Sequence, residues 1–194
     1  MIKEKYMQVK KDDIQAKILS VSERLFIKNG YENTSLKMIA ERSYISKSNI
    51  YRYYKSKEEI YETLVGPARS EIIKLMSFFF TADFIGKYTP DKCVEISAVL
   101  AKIFCEYRSG MLIALRSSEG TDRKMIEQDI IGKFIEACPI DDDDAKELIS
   151  KILIYGLTDI LLKYSDEDCI KKELNVLIYY HYLGLNGLKA KLGV

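Results

Sequence analysis

Between Thr34 and Lys57 the chain reads TSLKMIAERSYISKSNIYRYYKSK, and the placement of apolar and capping residues in this stretch leaves few folds open. Thr34 or Ser35 caps a short helix whose inner face carries Ile39 and Ala40, and a break follows around Ser43 and Tyr44. Ile45 plugs the corner. Ser46 caps a second helix, expected over Ser46 to Tyr54, which turns Ile50 and Tyr54 inward at i and i+4. Its remaining face holds Lys47, Ser48, Asn49, Tyr51, Arg52 and Tyr53, a set of hydrogen-bond donors and aromatic rings rather than a plain solvated surface. Two short helices meeting at a tight corner, with donors on the second, form a helix-turn-helix whose second helix suits the DNA major groove.

These residues resemble the head of the TetR family of bacterial transcriptional regulators. Thr34, Ile39, Ala40, Ile45, Ser46, Ile50, Tyr51, Tyr53, Lys57 and Ile60 occupy matching positions, and the pairing of Tyr51 with Tyr53 ahead of Lys57 is rarer than the helix-turn-helix pattern alone. Upstream the likeness reaches Phe26, Gly30 and Tyr31, so it covers roughly the first third of the chain; beyond about residue 65 it is one of helical architecture. Two departures stand out. Tyr44 replaces the turn glycine, so it must accept a positive φ or impose a different turn. Tyr54 replaces a phenylalanine, and its hydroxyl needs a partner if buried.

A helix in the major groove reads bases from its first turns, while phosphate contacts set its register. Lys47 can donate to guanine O6 or N7, and Asn49 can pair with adenine N6 and N7. Ser46 and Ser48 are small enough for close backbone approach. Tyr51, Arg52 and Tyr53 offer donors to phosphates, the tyrosines also packing surface for a thymine methyl, and Lys57 adds charge at the start of a fourth helix. The resemblance implies that Thr34, Ser35 and Lys37 hold a phosphate at the second helix. It also implies a homodimer on an inverted-repeat operator in double-stranded DNA and a small-molecule effector bound in the C-terminal half.

Charge supports this division. Residues 1–66 carry 13 Lys+Arg against 9 Asp+Glu, a net +4, whereas residues 67–194 carry 17 against 20, a net −3. The opening MIKEKYMQVKKDD lacks the apolar centre of a signal peptide, and no run approaches the roughly 18 apolar residues of a membrane span. A cytoplasmic protein with no membrane partner is expected. Cysteines stand at 93, 105, 138 and 169 without C-x-x-C or metal-ligand spacing, so reduced core thiols are expected, with no metal and no cofactor. A single histidine, and the lack of nucleotide-binding glycine motifs or a nucleophile-and-base signature, argue against an enzyme.

The expected architecture is all-α, about nine helices. A three-helix head over residues 1–56 is joined by a fourth helix to a helical effector and dimerisation domain over 57–194. Helix one runs from Asp12 to Asn29 and ends at Gly30. Gly66-Pro67 interrupts the fourth helix and marks a hinge, because a proline removes one backbone hydrogen bond and clashes with the preceding turn. Thr89-Pro90-Asp91 opens a helix to about Arg108, the apolar piece MLIALR follows Gly110, and the Asp141–Asp144 run caps the eighth helix. Phe78, Phe79, Phe104, Tyr107, Met111, Leu115 and Tyr155 are candidate apolar walls of an effector pocket, with Arg108, Arg116 and Asp159 as polar fixtures. The last two helices carry apolar residues on more than one face. Leu148, Ile152, Gly156, Leu174, Leu177, Ile178, His181 and Leu185 are the candidate dimer interface, the alternative being that they fill a monomeric core.

Overall fold

The computed structural model describes residues 2–79, 89–116, 122–138 and 140–192. Nine helices and no strand occur among the described residues: α1 (Ile2–Asn29), α2 (Leu36–Ser43), α3 (Lys47–Ile50), α4 (Lys57–Phe79), α5 (Pro90–Glu106), α6 (Arg108–Arg116), α7 (Asp122–Ala137), α8 (Asp143–Lys163) and α9 (Glu167–Leu192). Most boundaries follow from local chemistry. Gly30 takes a φ of 82° and donates its N–H to Phe26 O, ending α1. Thr89, with Pro90 at the first helical position, accepts from Lys92 N and opens α5; Asp142 accepts from Ala145 N and opens α8.

Four boundaries differ from the sequence expectation. The first helix begins at Ile2, well before Asp12, because the added residues are mostly good helix formers that extend an existing nucleus cheaply. The helix expected over Ser46 to Tyr54 is α-helical only over Lys47–Ile50; beyond it Arg52 N and Tyr53 N bond to the carbonyls of Asn49 and Ile50, a tighter i to i−3 pattern. Pro67 does not break α4, which continues through it to Phe79. Packing on both sides holds that helix together: Ile60, Tyr61 and Val65 lie in one core and Ala68 in another. Gly110 does not terminate a helix but lies within α6, and a Cβ there would stand 2.7 Å from Leu64 O and 2.8 Å from the Ala68 Cβ. Only a residue without a side chain lets α6 lie this close on α4.

Two main cores result. The first joins Ile18 and Phe26 of α1, Ile39 of α2, Ile50 of α3 and Ile60 and Val65 of α4, and it is completed by Ile113 and Ala114 of α6. The second, built on α5, α6, α8 and α9, contains Phe104, Met111, Leu112, Leu161, Ile170 and Leu174. Helix α6 therefore contributes to both. Its Ser109 hydroxyl donates to Glu23 of α1 at 2.7 Å, and the Arg108 guanidinium donates to the Leu161 carbonyl of α8 at 2.8 Å. Cys93 and Cys138 are buried, Cys105 is half-buried and Cys169 is exposed, and none of the four forms a disulfide.

The candidate interface residues separate into two groups. Leu174, Ile178, His181 and Leu185 are buried within this chain's own fold, so they belong to the alternative, a monomeric core. Gly156 meets Leu177 across the α8–α9 contact, where a Cβ would stand 2.7 Å from the Leu177 Cδ1. Leu148 and Ile152 are exposed. They continue along α8 through Tyr155 and Leu162, and α9 exposes Val176, Tyr179, Tyr180 and Leu183 at spacings of three and four. His181 donates from Nδ1 to Leu177 O at 2.8 Å, and burial pushes its pKa down, keeping the ring neutral.

Candidate nucleic-acid interface

The corner between α2 and α3 is set by two serine caps and one left-handed residue. Ser35 is extended at φ −106° and its hydroxyl accepts from Met38 N; Ser46 does the same for Asn49 N at the start of α3. Between them Tyr44 adopts φ 56° and ψ 37°, donating its N–H to Ala40 O and Glu41 O. The turn thus keeps the glycine geometry with a tyrosine in it, at a steric cost of roughly 1–2 kcal/mol. Ile45 N donates to Ala40 O, which seats the Ile45 side chain against the first core. Ser43 closes the inside of the corner by donating to Ile39 O at 2.7 Å.

With Ile50 and Tyr54 buried, the rest of α3 and its following turn faces outward. Lys47, Ser48, Tyr51 and Arg52 are exposed, and Asn49 and Tyr53 are half-buried, Tyr53 resting against the first core. The Lys47 amine lies 5.9 Å from the Tyr51 ring centre, and the Ser46 and Ser48 hydroxyls are 3.1 Å apart. Ser35 and Lys37 are exposed on α2, and Lys37 stands 4.0 Å from Glu41. Lys37, Ala40, Glu41, Tyr44, Ile45, Ser46 and Lys47 line an open depression of about 380 Å³. Burial raises the pKa of Tyr54, the Gln15 side chain lowering it in part, and the hydroxyl lacks a hydrogen bond of good geometry.

Two residues assigned to phosphate are employed inside the protein instead. Thr34 is 1% exposed and donates its hydroxyl to Gly30 O at 2.8 Å, closing the end of α1. It has no surface to offer. Lys57 donates to Tyr31 O at 2.8 Å and lies 3.9 Å from the Tyr31 ring centre, while the Tyr31 hydroxyl donates to Glu58 at 2.7 Å. Lys57 thereby fixes the start of α4 to the end of α1, and only its charge remains directed to the outside field.

The proposed pocket residues that the structure describes occupy different settings. Phe104 and Met111 are buried in the second core, Tyr107 is half-buried beside it, and Arg108 is bonded to Leu161 O. Tyr155, at 62% exposure, and Asp159 are exposed on α8. Phe78, Phe79, Leu115 and Arg116 have side chains outside the described residues. Helical spacing and turn chemistry do not single out every exposed aromatic or apolar group. Tyr44 is 92% exposed, and Tyr179, Tyr180 and Leu183 are exposed on α9 beside the positions whose spacing suggests an interface.

Residues 18–64 match the model of a family described as bacterial regulatory proteins, tetR family. The HTH-type transcriptional regulator QacR from Staphylococcus aureus is 43% identical over 49 residues, 25% of this chain and 26% of that protein, so the matched segment spans about a quarter of that relative. Among solved structures, a transcriptional regulator from Aquifex aeolicus superposes with a TM-score of 0.52 at 23% identity, covering 84% of this chain and 95% of that one. SmeT, described as the repressor of the Stenotrophomonas maltophilia multidrug efflux pump SmeDEF, gives 0.56 at 18% identity, over 88% of this chain and 89% of its own. At these identities the structural likeness is one of fold. The head is thus similar in sequence to the tetR family of bacterial regulatory proteins over residues 18–64, and along most of its length the chain shares the fold of solved transcriptional regulators.

Proposed function

We propose that the chain is a DNA-binding transcriptional regulator that docks as a homodimer on an inverted-repeat operator and is released by a small-molecule effector. The observation that carries this reading is the outward face of α3, where Lys47, Ser48 and Arg52 are exposed on a helix fixed from behind by Ile50 and Tyr54. Donors in that position suit base edges and phosphates rather than a catalytic step. No described helix is long and apolar enough to cross a membrane.

The exposed apolar stripes of α8 and α9 support the dimer, since two such helices from each copy make a four-helix bundle across a two-fold axis. That bundle holds the two α3 helices at the roughly 34–36 Å needed for successive major grooves on one side of the duplex. SmeT, described as a repressor and similar in fold, favours repression as the mode of regulation, and effector release follows from the resemblance of the head to the TetR family. Helix α4, with Pro67 between the two cores, is the element through which a change in the body moves the head, and a coupling of about 1–3 kcal/mol reduces occupancy roughly 5–150-fold.

Selection of duplexes from a random pool tests the reading directly. The wild-type chain recovers an inverted repeat, and Lys47→Ala weakens binding to it by about 1–3 kcal/mol while affecting a scrambled duplex less. Equal losses on both duplexes make Lys47 a phosphate contact, and a wild-type chain that selects nothing removes the DNA reading altogether.

A further inference from the structure

We infer that Tyr44 and Lys17 form a second clamp on the DNA backbone outside the recognition helix, with the Tyr44 hydroxyl donating to a phosphate oxygen and the Lys17 ammonium beside it. This rests on the DNA-binding reading above and extends it to the turn and to α1.

Tyr44 contributes little to folding. Its ring is 92% exposed and so buries almost nothing, while its backbone occupies the left-handed region that glycine enters without strain. A large aromatic side chain in this position is explained only by what it can touch from outside. Two backbone bonds, to Ala40 O and Glu41 O, hold the turn and therefore the direction in which the ring projects.

Its surroundings suit an anion. The Lys17 amine of α1 lies 5.7 Å from the ring centre, and Tyr44 shares its depression with Lys37 and Lys47. Glu41 is the one acid lining that depression, and it stands 4.0 Å from the Lys37 amine, so the region keeps a positive excess. The turn immediately precedes α3. When α3 lies in a major groove, this turn stands at the groove's rim, where phosphates rather than base edges are within reach. A neutral O–H donor flanked by ammonium groups matches a phosphodiester, which accepts hydrogen bonds and carries one negative charge.

The test combines stability with affinity, because the two move in opposite directions. Tyr44→Gly relieves the left-handed strain and raises the thermal midpoint, yet weakens binding about five- to tenfold on both the selected inverted repeat and a scrambled duplex. Tyr44→Phe keeps the ring and loses a comparable factor. Neither variant changes the slope of log affinity against log salt, whereas Lys17→Ala lowers it by about one. A Tyr44→Gly chain that is more stable and binds as well as wild type overturns the clamp, as does full affinity in Tyr44→Phe or an unchanged slope in Lys17→Ala. If those variants bind normally while Lys47→Ala does not, only this inference falls; if the wild type selects no duplex, the DNA reading falls with it.

Discussion

Lys57, Tyr31 and Glu58 show how one residue's role depends on its neighbours. A lysine at the first position of α4 is well placed for a phosphate, but here its amine caps the Tyr31 carbonyl and covers the Tyr31 ring, which itself packs on Tyr61 at 4.6 Å. The Tyr31 hydroxyl, and after it the Ser56 hydroxyl, stabilise the ionised Glu58 carboxylate and lower its pKa from 4.5 to about 2. Burial, and then the Glu58 hydrogen bond, raises the Tyr31 pKa, so the phenol stays protonated and donates. A carboxylate with a depressed folded-state pKa contributes stability that is complete above its unfolded value and is lost as pH falls through the folded one. The thermal midpoint of the wild type should therefore fall more steeply between about pH 4.5 and 2 than that of Glu58→Gln. Parallel melting curves across that window would mean that the Tyr31 bond does not persist in solution.

Among the helices, α6 illustrates a limit of reading spacing alone. Gly110 and the apolar run after it look like a helix end followed by a loop piece, because glycine is a poor helix former. The packed structure reverses the argument: glycine is the residue that allows α6 to approach the Leu64 carbonyl and Ala68. Gly110→Ala should destabilise the fold by about 1–3 kcal/mol through overpacking, despite the better helix propensity of alanine. Gly132 of α7 has no atom within 4 Å of a Cβ built on it, and Gly132→Ala should add about 0.5–1 kcal/mol. Chemical denaturation of both variants checks the opposite signs, and two gains would show that α4 and α6 are not in close contact. By contrast, the caps at Ser46 and Thr89 are legible in the sequence, and those at Ser35 and Asp142 to within the pair Thr34–Ser35 and the run Asp141–Asp144, since a cap depends on a side chain and a backbone N–H a few residues away.

At the scale of the molecule the proposed dimer rests on the open faces of α8 and α9. Leu183 is half-exposed on a long helix whose opposite side is buried at Leu174 and Ile178. Leu183→Asp should leave the monomer's fold intact, because the carboxylate points to water, and should abolish the proposed dimer because the same group would be buried unpaired in it. Sedimentation velocity reads the mass directly, and binding to the inverted repeat should fall in step with the loss of paired heads. A variant that remains two-fold at micromolar concentration would put the interface elsewhere.

The helix-turn-helix, its caps and its donor face were determined by the amino-acid sequence, because each depends on contacts a turn or two apart along one chain. Which apolar faces of α8 and α9 close the core and which stay open was decided only by tertiary packing: both faces satisfy the helical period, and the period cannot name the neighbour. The same limit explains Thr34 and Lys57, whose polar groups were turned inward by the end of α1. It also explains Tyr155 and Asp159, which helical spacing placed on α8 but only the position of α9 left facing outward.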